Sequence, residues 1–138
     1  MTYCTLQLGG IEDGYTFVAF LAEDTTVTLP LTPVGEHLYR INGVPCMVEG
    51  AAFGDVIEAE PMKEGGLRFI RVAEPGGWRT FDYILSRGKI NGAWGQSLLR
   101  EFEARGGHWE VLFGGCLFVC VPPSVDIDPT PWVESLYL

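Results

Sequence analysis

Glycine and proline punctuate this chain so often that few regular elements can run long: eighteen glycines and nine prolines are spread over 138 residues. Each tends to end a hydrogen-bonded run, glycine through its conformational freedom and proline through its missing N–H. Between them lie short apolar runs such as "YTFVAFLA", "LRFIRVAE" and "CLFVCV", which point to many short strands joined by turns. A 47% hydrophobic and 12% aromatic content supplies the apolar surface for a sizeable core, and the length suits one domain over 1–138.

The first half reads as strands. "YCTLQL" predicts a short edge strand, and "YTFVAFLA" (15–22), with almost no polar break, a strand covered on both faces. "TTVTLPL" (25–31) alternates, with Val27, Leu29 and Leu31 on one side, and Pro30 predicts a sheet edge. "HLYRI" predicts a strand, Asn42-Gly43 a tight turn, and "VPCMVEG" a return strand. In the loop "AAFGD", Gly54 is suited to positive φ and Asp55 to accepting hydrogen bonds from nearby backbone N–H groups, as in an Asx turn. "VIEAE", "LRFIRVAE" and "WRTFDYILS" follow as strands, separated by "KEGG" and "PGG".

At Asn91 the hydrophobic period changes from two to that of a helix, placing Trp94, Leu98, Leu99 and Phe102 on one face. Asn91 is the expected N-cap and Gly106 the residue just past the end. Gly92 and Gly95 should weaken this helix by about 1 kcal/mol each relative to alanine, so packing has to hold it. "HWEVLF" and "CLFVCV" predict a hairpin around a two-residue Gly114-Gly115 turn, and "TPWVESLYL" a last helix with Thr130 as N-cap and Pro131 in its first position. The fold class is α+β: a strand-rich, barrel-like half over 1–75, then a ferredoxin-like β-α-β-β-α half over 76–138.

The run Tyr39-Arg40-Ile41-Asn42 with Pro45, then Gly54-Asp55-Val56-Ile57 with Ala59, followed by "LRFIRV", "WRTFDYIL", a helix ending in "RGG" and a strand closing on "VPP", resembles a bacterial family known as domain of unknown function 4265. The resemblance covers about residues 25–138. It implies the fold and carries no activity with it.

Charge narrows the function. The net charge is −9, and residues 1–62 hold nine acids against the single base Arg40. Such a field repels nucleic acid and anionic membranes and attracts basic partners. There is no phosphate-binding glycine loop, no H-E-x-x-H and no G-x-S-x-G. The leading expectation is therefore a non-enzymatic acidic domain that binds a basic protein, as an immunity protein binds a toxin. The contacts would come from the strand acids Glu58 and Glu60, from Glu49, and from the loop acids Glu12, Asp13, Glu23 and Asp24. A second reading is a small-ligand or regulatory domain with its pocket between the two halves. A third is a thiol enzyme using Cys46 and His37, which the Asn42-Gly43 hairpin would bring onto facing strands.

Cys4, Cys46, Cys116 and Cys120 form no C-x-x-C pair and read as buried, reduced thiols. His37, Cys46, Cys116 and Cys120 match a zinc set in number but not in spacing, so no metal and no cofactor is expected. Arg68 and Arg71, three apart on a strand, should point to opposite faces. Arg79 would hold an anion at a loop mouth or pair with one of the acids. With no basic-then-apolar leader in "MTYCTLQLGGIEDG" and no apolar run near 20 residues, a cytoplasmic location is the expectation.

Overall fold

A computed structural model of the chain describes residues 2–4 and 15–137, with only the backbone course at residues 2–4 and 137. It divides into two compact units, Met1–Gly77 and Trp78–Leu138.

The first unit is a sheet of six strands in the order β1-β3-β2-β6-β5-β4. These are β1 (Thr2–Cys4), β2 (Tyr15–Phe20), β3 (Thr25–Gly35), β4 (Leu38–Ile41), β5 (Val56–Pro61) and β6 (Leu67–Glu74). A further β3–β4 pairing closes β2 to β6 into a five-stranded barrel, which leaves those strands without open sheet edges. The β2–β6 pair is parallel, as is β1 on β3; the others are antiparallel. Val18, Phe20, Val27, Leu29, Ile41 and Ile57 are buried, each worth about 1.5–3 kcal/mol of burial.

β3 is interior rather than an edge. Its first residues, Thr25 to Val27, pair with β1, and Leu31 to Gly35 pair with β4. Pro30 falls in the gap between those two partners and at the end of the ladder to β2, opposite Tyr15. A proline there interrupts nothing.

The hairpin in this region is not the one the Asn-Gly pair predicts. β3 turns into β4 through Glu36 and His37, with Gly35 opposite Leu38 and His37 at φ 57°. Asn42 instead donates its backbone N–H to the Pro30 carbonyl at 2.9 Å and its side-chain amide to the Thr32 hydroxyl. "VPCMVEG" forms no strand. Beyond Ile41 the chain has no open edge to return along, because β4 is already flanked by β3 and β5.

The second unit contains β7 (Arg79–Ile84), α1 (Arg87–Asn91), α2 (Ala93–Ala104), β8 (His108–Leu112), β9 (Cys116–Val121) and α3 (Thr130–Glu134). Its sheet has the order β7-β9-β8, with β9 antiparallel to both neighbours. Leu117, Val119 and Val121 of β9 join Ile90 of α1, Leu98, Leu99 and Phe102 of α2 and Val133 of α3 in one apolar cluster.

Helical structure starts earlier than the change of period suggests. Ser86 caps α1, accepting from Lys89 N–H at 3.3 Å, and Gly92 separates α1 from α2. Gly95 is the reason the two can approach: a Cβ there would sit 2.2 Å from the Lys89 carbonyl oxygen. α2 ends as its sequence predicts. Gly106 N–H bonds Glu103 O at 2.9 Å and Gly107 N–H bonds Phe102 O at 2.8 Å, the paired bonds of a Schellman ending. Two boundaries shift. The β8–β9 loop has three residues, since Leu112 pairs with Cys116 and Phe113 takes φ 54°. α3 has Pro129 at its N-cap position and Thr130 inside. Among the described residues no helix is long and apolar enough to cross a membrane.

Candidate functional site

Among the described residues, two surfaces bring chemistry-bearing side chains together, one in each unit. On the barrel, Glu58 accepts from Arg71 Nε at 2.8 Å and Glu60 from Arg68 Nη2 at 2.7 Å. The two arginines therefore share a face, contrary to strict alternation. The ladder explains why: Glu58 faces Arg71 and Ala59 faces Phe69, so Ile70 has no partner and forms a bulge. One extra residue resets the alternation and returns Arg71 to the side of Arg68.

The acids otherwise divide by environment. Glu23 is used locally: its carboxylate accepts the N–H of Glu49 at 2.7 Å and of Gly50 at 3.1 Å. Glu23, its neighbour Asp24 and Glu49 thus come together from segments 26 residues apart. Asp24 and Glu49 are exposed. Glu12 and Asp13 lie outside the described residues.

The thiol readings change. Cys46 is buried and disulfide-bonded rather than reduced, so it presents no thiolate. His37 sits on the exposed β3–β4 turn, and the strand that would have carried Cys46 opposite it does not form. Cys116 and Cys120 are free. Burial pushes the Cys120 thiol up to about 12, against a partial lowering by its Thr80 hydroxyl contact at 3.7 Å, the opposite of what a nucleophile needs. The side chain of Cys4 is outside the described residues. No group of three or more metal-ligating side chains assembles among the described residues.

Arg79 has an acid in its field: the Asp128 carboxyl is lowered chiefly by its hydrogen bonds from Thr130 and further by the Arg79 charge. The Arg79 Nη2 donates to the carbonyls of Val125 at 2.8 Å and Ile127 at 3.1 Å, which ties the loop before α3 to β7.

The second surface is an open groove of about 460 Å³ between α2 and α3, lined by Trp94, Leu98, Glu101, Arg105, Pro131 and Trp132 among others. Trp94, expected in the core, is 56% exposed. Its indole N–H donates to Ser135 Oγ at 3.0 Å, which holds the ring across the groove. Trp132 stacks on Phe102 at 5.1 Å and carries the Arg105 guanidinium over its ring at 5.0 Å. Glu101 Oε1 accepts from both Nε and Nη2 of Arg105, at 3.1 and 3.0 Å. The groove had a sequence signal: Trp94, Glu101 and Arg105 follow at helical spacing on α2, beside the stripe of Leu98, Leu99 and Phe102. Reading Trp94 into the apolar stripe hid it.

Comparison with known proteins adds fold and family. A family model described as Domain of unknown function (DUF4265) matches residues 28–130. No curated protein matches. A solved structure described as a novel crystal structure of a hypothetical protein from Neisseria gonorrhoeae is similar, with a TM-score of 0.58, 16% identity, 92% of this chain covered and 85% of that one.

Proposed function

We propose, for a chain that belongs to the family Domain of unknown function (DUF4265), a non-enzymatic binding role in which the acidic barrel meets a basic protein partner. The observation that carries this reading is the charge left on the first unit. Met1–Gly77 holds eleven acids against four bases, and two of those bases, Arg68 and Arg71, are taken up by Glu60 and Glu58. Such a surplus speeds encounter with a cation-rich surface and selects against acidic competitors.

The pairing moves the expected contacts. Glu58 and Glu60 already have partners, so their net contribution to a long-range field is small. Glu49 and Asp24, exposed on the two segments that the Glu23 carboxylate joins, take a share of the contacts. Covering a basic toxin, as an immunity protein does, is one biological use of such a surface. A ferredoxin-like reading of the second unit is supported by β9 lying between β7 and β8 and antiparallel to both.

Affinity capture from the native host, with the adjacent genes expressed alongside, identifies the partner. Its association rate should fall steeply with added salt, since screening acts over about 10 Å at 0.1 M. Asp24→Lys with Glu49→Lys should slow association at low salt. A rate indifferent to both salt and these reversals overturns the reading.

A further inference from the structure

The sheet of the second unit ends on β7. In the order β7-β9-β8 that strand has β9 on one side and, among the described residues, no strand on the other. Leu85 N–H donates to Gly115 O at 2.8 Å, continuing the ladder in which Tyr83 faces Leu117 and Phe81 faces Val119. Backbone groups alternate sides along a strand. Those of Arg79, Phe81 and Tyr83 therefore point to β9, and those of Thr80 and Asp82 point outward. Thr80 and Asp82 are exposed, and Ile84 beyond them is 80% exposed. An uncovered strand edge of this kind is a template for another strand.

We propose that the occupant of this edge is β7 of a second copy, paired antiparallel about a two-fold axis at Phe81. Register selects it. Outward backbone groups must meet outward backbone groups, so Thr80 and Asp82 can face only even-numbered positions of a second β7. Centring the pair on Phe81 sets Thr80 against the second copy's Asp82, and Asp82 against its Thr80, with two backbone hydrogen bonds in each pair. Each Asp82 carboxylate then has a hydroxyl across from it. The two Phe81 residues meet in the close, non-hydrogen-bonded position, with about 4.5 Å between Cα atoms. Arg79 faces the second copy's Tyr83 rather than a like charge. Moving the centre to Asp82 opposes two carboxylates, which is destabilising. Moving it to Thr80 pairs Asp82 with Trp78, which lies before the start of β7.

Charge also favours self-contact through this unit rather than through the barrel. Trp78–Leu138 holds seven acids against five bases, so two copies meeting along β7 oppose little net charge. Within β7 the one acid, Asp82, filters the pairing, since it disfavours the register that would bring it opposite itself. The inference stands apart from the basic-partner reading above and needs no second protein.

Sedimentation of the full chain over a concentration series should show a reversible dimer, and the Thr80 and Asp82 amides should exchange more slowly as the dimer fills. Asp82→Pro removes an outward N–H that the ladder to β9 does not use, and proline is tolerated at such edge positions. It should weaken the dimer at least about tenfold, a difference of about 1.4 kcal/mol. Continued protection of the Tyr83 amide would show that this variant keeps its pairing to β9. Substitutions of Thr80 read the register. Thr80→Lys, facing the second copy's Asp82, should tighten the dimer, and Thr80→Glu should loosen it. A chain that stays monomeric, a dimer indifferent to Asp82→Pro, or the same effect from lysine and glutamate at position 80 overturns the proposal. So does slow exchange of the two amides only when a captured partner is present, because a strand of another protein would then be the occupant. The salt dependence of partner capture tests the acidic-barrel reading separately, so either can fail alone.

Discussion

Asp55 and Gly76 are joined across 21 positions of sequence: Asp55 Oδ1 accepts the Gly76 backbone N–H at 2.8 Å, while Oδ2 accepts from Ala52 N–H at 3.0 Å. The same carboxylate therefore closes its own turn and ties the chain after β6 to the start of β5. Asp55 is 9% exposed, so losing it leaves two backbone donors short of a partner. Asp55→Ala is expected to cost about 1–3 kcal/mol. Gly54, at φ 87°, should cost about 1 kcal/mol or more as alanine. Gly76→Ala should be at least as damaging, since its Cβ would lie 2.4 Å from the Gly54 carbonyl oxygen. Urea midpoints of the three variants check this, and unchanged midpoints would show that these contacts do not hold the loop.

Cross-strand charge on the barrel should be a matter of pairing more than of total charge. Glu60→Arg alone sets two cations opposite each other, as does Arg68→Glu with two anions. Each should destabilise by up to about 1 kcal/mol, because the partly exposed pair is worth little more than that. The double swap should recover most of the loss. A double mutant as unstable as the sum of the singles would show that the two side chains do not interact.

Gly95 sets two effects against each other. Helix propensity alone predicts that Gly95→Ala stabilises α2 by about 1 kcal/mol. Sterics predict the reverse, since the added Cβ would meet the carbonyl oxygens of Lys89 at 2.2 Å and Ile90 at 2.6 Å. Both contacts are to backbone that cannot rotate away, so an overpacking cost of about 1–3 kcal/mol should dominate. Thermal unfolding decides the sign.

Cys120 should make the protein less stable in alkali. Its thiol is raised by burial from an ordinary 9.0 to about 12. Below about 9 both states keep the proton and stability is unaffected by this group. Between there and about 12 the unfolded chain releases the proton and the folded one retains it, so stability falls as pH rises, by up to about 1.4 kcal/mol per pH unit. Tyr83, also raised by burial, acts in the same direction. Denaturation across this range should show a shallower slope in Cys120→Ala, and the more accessible Cys116 should be alkylated first. Labelling of Cys120 at the same rate as Cys116 would contradict its burial.

Features that depend on a few neighbouring residues were legible in the sequence. Gly54 has positive φ, Asp55 accepts backbone hydrogen bonds, Gly106 lies past the end of α2, and Leu98, Leu99 and Phe102 share a buried face. Each follows from chemistry within about a turn of chain, where sequence distance and spatial distance agree. Tertiary structure decided the rest because it chose the partners. Closing β3 onto β4 moved the hairpin turn from Asn42-Gly43 to Glu36-His37 and left residues 44–50 without a strand to join. A bulge at Ile70, which exists only relative to β5, put Arg68 and Arg71 beside Glu60 and Glu58. The end of α3, arriving from 41 positions away, gave the Trp94 indole a hydrogen-bond partner at the groove. Alternation and helical period state which residues share a face of their own element, but whether that face is buried is set by whatever packs against it.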